Sequence, residues 1–140
     1  MQKVAAEKTK TKYFEAVGRR KTAVARVRLE ESKKAKNFLV NDKEIEKYFV
    51  YPKYTQIAES PLAQAGLKDK VSLSVKVRGG GINAQAEAIR HGVSRVLVVY
   101  NPELRPGLKA LSFLKRDPRM VERKKYGLKK SRRAPQWAKR

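Results

Sequence analysis

The chain has 140 residues, with 35 Lys or Arg against 13 Asp or Glu and one His, giving a formal net charge of +22 and a pI near 10.5. That length suits one compact domain plus extensions, and that charge makes nucleic acid the leading partner. The lack of cysteine excludes disulfides and thiolate chemistry, the single histidine argues against a His-rich metal site, and no apolar run is long enough to span a bilayer.

Residues 1–12 are basic without the apolar core of a signal peptide, and are expected to form a short disordered or variable extension. The domain is expected over residues 13–114. Tyr13 to Gly18 reads as an edge strand and Arg19-Arg20-Lys21-Thr22 as a basic turn. Over residues 23–29, Ala23, Ala25, Val27 and Leu29 face one way and Val24, Arg26 and Arg28 the other, a half-buried strand. The clustered charges of Arg19, Arg20 and Lys21 repel one another unless compensated, which points to phosphate. Arg26 and Arg28 are compatible both with a solvated strand face and with phosphate contact.

Phe38 to Val40 reads as a short strand, and Asn41-Asp42 as the cap of a helical piece over Lys43 to Phe49. A second helical pattern, Tyr54, Ile57, Ala58, Leu62 and Ala65, is interrupted by Pro61 and ended by Gly66. Residues 71–78 form the clearest strand, with Val71, Leu73, Val75 and Val77 on one face. A long helix then runs to about Tyr100, with Ile82, Ala86, Ile89, Val93, Val96 and Tyr100 or Leu97 as its apolar stripe. Glu87, Arg90, His91, Ser94 and Arg95 lie off that stripe. A short helix is expected over Gly107 to Leu114, with Leu108, Leu111 and Leu114 inward. This order predicts an α+β fold: a small mixed, mostly antiparallel sheet with helices on one face.

Gly79-Gly80-Gly81-Ile82-Asn83-Ala84 matches the dinucleotide fingerprint G-x-G-x-x-[GA] between a strand and a helix, and Glu103 lies about twenty residues on. The preceding strand alternates, whereas a Rossmann strand is apolar on both faces, and no room remains for a doubly wound sheet. A cofactor is therefore not expected. Two readings of the glycines stay open: backbone approach to an RNA phosphate at a helix N-terminus, or a turn requiring positive φ. His91 has no catalytic constellation around it. Its neighbours Arg90 and Arg95 suggest an RNA-facing helix surface, and a hydrogen-bonded structural histidine is the alternative.

The last twenty-six residues, 115–140, carry twelve Lys or Arg and two acids, a net +10. They show no sustained apolar period, and Pro118, Gly127 and Pro135 break them. Such a segment buries too little apolar surface to order itself, and is expected to be a long extended basic arm that orders on a phosphate backbone. Besides Lys115, Lys139 and Arg140, its cations are Arg116, Arg119, Arg123, Lys124, Lys125, Lys129, Lys130, Arg132 and Arg133, with Tyr126 and Trp137 interleaved as stacking candidates.

Several stretches together resemble one family. They are Ala16-Val17-Gly18-Arg19-Arg20-Lys21-Thr22-Ala23; Gly79-Gly80-Gly81 through Ile89-Arg90-His91-Gly92; Pro102-Glu103-Leu104-Arg105-Pro106; and Val121-Glu122-Arg123-Lys124-Lys125-Tyr126-Gly127-Leu128-Lys129-Lys130 with Arg132-Arg133-Ala134-Pro135-Gln136. Over Tyr13 to Arg140 the chain resembles the S-nine family of the bacterial small ribosomal subunit. The resemblance implies a structural, non-enzymatic protein of the subunit head on a cytoplasmic or organellar ribosome. It implies a fold like the second domain of ribosomal protein S-five, with a left-handed βαβ unit.

The implied partners are small-subunit ribosomal RNA, neighbouring head proteins and peptidyl-site tRNA, with no membrane and no homo-oligomer. Ribosomal RNA would be met by Arg19, Arg20, Lys21, Arg78, Gly79, Gly80, Gly81, Arg90, His91 and the arm's basic residues with Tyr126. Lys139 and Arg140 would contact the anticodon stem-loop. Ala84, Trp137 and Ala138 depart from the family's usual glycine, phenylalanine and serine. The rival reading from composition is a non-specific nucleic-acid compacting protein.

Overall fold

The computed structural model describes residues 13–31, 37–68 and 70–139, so the N-terminal extension lies outside the described residues. Strand β1 (Tyr13–Arg20) and strand β2 (Ala23–Glu30) form a hairpin that closes at Lys21-Thr22, Arg20 pairing with Ala23. Strand β3 (Phe38–Val40) and the two-residue β4 (Lys43–Glu44) form a second hairpin. Helices α1 (Ile45–Tyr48) and α2 (Pro52–Ala65) lead to β5 (Ser72–Arg78). Helix α3 (Ile82–Tyr100) is followed by a 3-10 turn at Pro102–Leu104 and by α4 (Arg105–Ala110). The sheet order is β1-β2-β5-β3-β4. Its pairs are antiparallel except β3 with β5, where the helical connection makes a parallel crossover.

The core follows from the alternation. Ala23, Ala25, Val27 and Leu29 of β2, and Leu73, Val75 and Val77 of β5 with Val71 just before it, are buried. They face α3, whose Ala86, Ile89, Val93, Val96 and Leu97 are buried in turn. Ile82 is exposed, so the apolar stripe begins a turn later than its periodicity predicts. The buried arc is also wider: Ala84, Ala88, His91, Gly92 and Ser94 are buried too, because α3 lies between the sheet and α2.

Three local expectations are corrected. Asn41 and Asp42 do not cap a helix; with φ of 49° and 65° they are the left-handed turn between β3 and β4. Positive φ at both central residues is what a tight hairpin turn demands, and Asn and Asp tolerate it. The Asn41 side chain also bonds both backbone groups of Val77, donating to its carbonyl at 3.0 Å and accepting from its amide at 2.9 Å. Pro61 does not interrupt α2. It removes the amide that would bond Ile57 four residues back, and the Ser60 hydroxyl donates to that same carbonyl at 2.8 Å.

The last helix ends at Ala110, not Leu114. Ser112 takes φ 57°, its amide bonds Lys109 at 2.9 Å and the Phe113 amide bonds Leu108 at 3.1 Å. That pair of bonds is a Schellman stop. Leu108 is consequently buried and Leu111 exposed.

β1 and α3 approach each other closely at two glycines. A Cβ on Gly18 would collide with the Ala88 carbonyl and the Gly92 amide nitrogen. One on Gly92 would lie 2.6 Å from Val27 Cγ2 and 3.1 Å from the Gly18 nitrogen. Strand and helix thus touch backbone to backbone. Gly18→Ala forces them apart, and overpacking of this kind costs about 1–3 kcal/mol. In urea unfolding its midpoint should fall clearly. Gly107→Ala, where an added Cβ meets nothing within 4 Å, should keep or raise its midpoint. Equal midpoints for wild type and Gly18→Ala would mean that the contact is not tight.

Candidate nucleic-acid interface

Glu87, His91 and Arg95 stand one turn apart on α3, and each holds a piece of β1. The Arg95 guanidinium donates to the Val17 carbonyl. The Arg19 amide donates to His91 Nδ1 at 3.2 Å. The Arg20 guanidinium pairs with Glu87. The spacing suits the first step: from Val17 to Arg19 the strand advances about 6.6 Å, and from Arg95 to His91 the helix about 6 Å; Arg20, one residue on, reaches Glu87 with its long side chain.

His91 is therefore a buried structural acceptor, 9 % exposed, rather than part of an outward helix face. Because Nδ1 accepts, the ring is neutral with its proton on the other nitrogen. Burial holds its pKa below the ordinary value, chiefly by desolvation and then by the nearby Arg95 charge; a backbone hydrogen bond with Leu114 opposes this.

Arg20 differs from its two neighbours in sequence. Its side chain is only 12 % exposed and reaches Glu87 on one side and, at 3.1 Å, Asp117 Oδ2 on the other. It also donates to the Arg119 carbonyl at 3.0 Å. The compensation its charge requires is thus supplied within the chain. Arg20 fastens the start of the C-terminal segment onto α3. The Asp117 carboxyl is held well below the usual carboxylate range, first by hydrogen bonds from the Arg119 side chain and then by its backbone amide.

Around this junction lies a cleft of about 180 Å³ lined by six basic residues and two acidic ones. Arg90 and His91 of α3 meet Lys115, Arg116 and Arg119 there, and Arg19, whose backbone amide bonds His91, also lines it. Both acids, Glu87 and Asp117, are engaged by Arg20. The buried Arg90 Nε has no hydrogen-bond partner among the described residues, while its guanidinium sits 5.3 Å from the centre of the Phe113 ring. The cleft therefore keeps a surplus of positive charge that a phosphate would offset.

The glycine turn is built for close packing. Gly79 and Gly80 have φ of 73° and 67°. A Cβ at Gly79 would lie 2.6 Å from the Thr22 carbonyl oxygen, and one at Gly80 would lie 2.9 Å from Ala23 Cβ. Both glycines thus seat the β1–β2 turn, beside exposed Lys21 and Arg78. Gly81 opens α3 with no side-chain cap, and an added Cβ there would meet nothing within 4 Å.

Residues 116–139 form no helix or strand, and nearly all are exposed. They are not simply extended. The Glu122 carboxylate accepts from Lys125 Nζ and Arg132 Nε, each at 2.8 Å, and its carbonyl accepts from the Ser131 hydroxyl at 2.7 Å. With Gly127 at φ 74° and the Lys129 amide bonded to the Arg133 carbonyl at 2.7 Å, residues 122–133 close into a loop. The two cations hold the Glu122 carboxyl below its ordinary pKa, Lys125 first. Arg123, Lys124, Lys129, Lys130 and Arg133 point outward without an ion pair among the described residues. Tyr126 and Trp137 are exposed, as is Lys139, and Arg140 lies outside the described residues.

The pairing roles of Glu87, Asp117 and Glu122 are missing from the sequence reading, as is the place of Lys115 in the cleft. The spacing of Glu87, His91 and Arg95 at i, i+4 and i+8 is the signal that could have found the first. Compared with known families, residues 18–140 match the family model described as ribosomal protein S9/S16.

Two predictions test this junction. His91 is the only histidine, so its imidazole nitrogens can be followed by NMR without ambiguity. It should titrate below the ordinary value. Since the folded pKa is lowered, the unfolded chain binds the proton first, and folding stability should fall as pH drops through the unfolded value near 6.5. A raised midpoint would contradict the buried acceptor. Arg20→Gln leaves Glu87 and Asp117 without their shared partner. It should lose about 1–3 kcal/mol in denaturant unfolding, together with faster exchange of the Arg119 amide, which donates to Asp117 at 2.9 Å.

Proposed function

The chain belongs to the ribosomal protein S9 family, and from that membership we propose that it holds small-subunit ribosomal RNA in the subunit head and meets peptidyl-site tRNA with its last residues. Membership makes it a structural, RNA-binding protein of the small ribosomal subunit that works in translation. In the finer reading, residues 13–114 form the docked body, built on the S-five-like fold with its left-handed βαβ unit, and residues 115–140 the basic arm. Neighbouring head proteins complete its surroundings on a cytoplasmic ribosome.

The observation that carries the ribosomal RNA reading is the convergence of Arg90, Lys115, Arg116 and Arg119 on one cleft whose acids are already engaged. The exposed cations of the Glu122 loop follow in the chain and add further positive charge. Lys21 and Arg78 are exposed beside the glycine turn. Arg20 and His91 act behind these groups as positioning residues. The tRNA contact rests on the terminal Lys139-Arg140 pair, because a guanidinium fork grips two phosphate oxygens at once.

A tagged full-length chain recovered from cells and washed in high salt should retain stoichiometric small-subunit RNA. Mixed nucleic acid that washes away would instead establish a compacting protein without a fixed site. Deleting Lys139 and Arg140 should leave subunit assembly intact and weaken peptidyl-site tRNA binding at matched salt. Unchanged tRNA affinity would overturn that part alone.

A further inference from the structure

The sheet has a face covered by helices and an open one. On the open face the register aligns side chains of β1, β2 and β5 in rows. Arg19, Val24 and Arg78 form the row nearest the β1–β2 turn, and Val17, Arg26 and Lys76 form the next. The third row is Glu15, Arg28 and Ser74, and the fourth is Tyr13, Glu30 and Ser72. Four cations therefore stand in the first two rows with no acid among them, and both acids of these strands' open face stand in the last two.

The pairing follows the same division. Glu15 holds Arg28 at 2.6 Å and is 4.0 Å from Arg26. Arg28 also lies 4.8 Å from the centre of the Tyr13 ring. Among the described residues Arg19, Lys76 and Arg78 make no side-chain ion pair. Between the two basic rows lies a depression of about 390 Å³, with Val17 and Val24 in its lining.

We propose that this basic half of the open sheet face is a second docking surface for the ribosomal RNA backbone, with Arg26 and Lys76 as phosphate contacts beside Arg19 and Arg78. The proposal rests on the ribosomal RNA reading above and extends it to the open face of the sheet, which shares Arg19 with the cleft at α3. Strand spacing puts neighbours in a row about 5 Å apart and the rows about 7 Å apart. Like charges held at such distances repel until a polyanion compensates them. A protein partner fits less well, because the core of a protein interface is poor in charge whereas nucleic-acid interfaces are strongly cationic.

The test uses the full-length chain and small-subunit RNA, with affinity measured across a salt series. Arg26→Gln/Lys76→Gln should reduce the steepness of log affinity against log salt by roughly 1.5, the loss of two phosphate contacts. Arg28→Gln removes one charge from the same face in the acid-paired row and should leave the slope unchanged. Melting curves of all variants should match wild type, since these side chains are outside the core. A wild-type slope for Arg26→Gln/Lys76→Gln, while Lys129→Gln/Lys130→Gln lowers it, would confine binding to the C-terminal segment and overturn the proposal. An equal fall for Arg28→Gln would reduce the effect to net charge and overturn it as well. Wild-type chain that binds unrelated RNA equally well would remove the ribosomal RNA reading, and this proposal with it.

Discussion

Gly18 and Gly92 let β1 and α3 meet with no side chain between their backbones, and the layout of the molecule depends on that contact. Three bonds along the helix fix the strand in place: Arg95 to Val17, His91 to Arg19 and Glu87 to Arg20. β1 is an edge strand, and edge strands leave backbone groups unpaired. Here α3 supplies partners for two of them. The strand then delivers Arg20 to the helix side and Arg19 to the open side of the sheet, one residue apart. From that alternation come both the fastening of the C-terminal segment and the basic end of the open face.

The positive charge is unevenly answered. Some cations have acids of their own: Arg20 with Glu87 and Asp117, Arg28 with Glu15, Arg132 and Lys125 with Glu122. At exposed positions such pairs add little to stability. Their effect is positional, since each engaged cation orients a segment that presents others left unpaired. Glu122 is the plainest case. One carboxylate gathers two cations and a hydroxyl, and the loop it closes turns five further basic side chains outward. A segment that composition reads as structureless thus carries local order of its own.

The long elements are legible in the sequence because burial imposes a period. The alternation of Ala23 to Leu29 and of Val71 to Val77 marks strands with one face inward, and α3 ends at Tyr100 where Pro102 requires it. What escapes is whatever depends on a distant partner. Asn41 reads as a cap until its side chain is seen to bond Val77. Pro61 reads as a break until the Ser60 hydroxyl is seen to take over the orphaned carbonyl of Ile57. The triplet Arg19, Arg20 and Lys21 reads as one basic cluster, yet pleating sends Arg20 to the opposite face from Arg19. His91 sits off the apolar stripe, and the close approach of Gly18 to Gly92 buries its side of α3 against β1.

The bonds that seat β1 join residues 67 to 78 positions apart, and a chain made from its N-terminus must wait for them. The β1–β2 hairpin is complete first, with no neighbour on either side. β5 must emerge before β2 gains its second partner, and α3 must emerge as far as Arg95 before β1 is held. Such non-local closure is slow and leaves edges open while it waits. Asp117 comes later still and finds Arg20 already seated on Glu87. The clasp thus joins a segment made later in the chain to a hairpin made early, and its cations are held only once β1 and α3 are both in place.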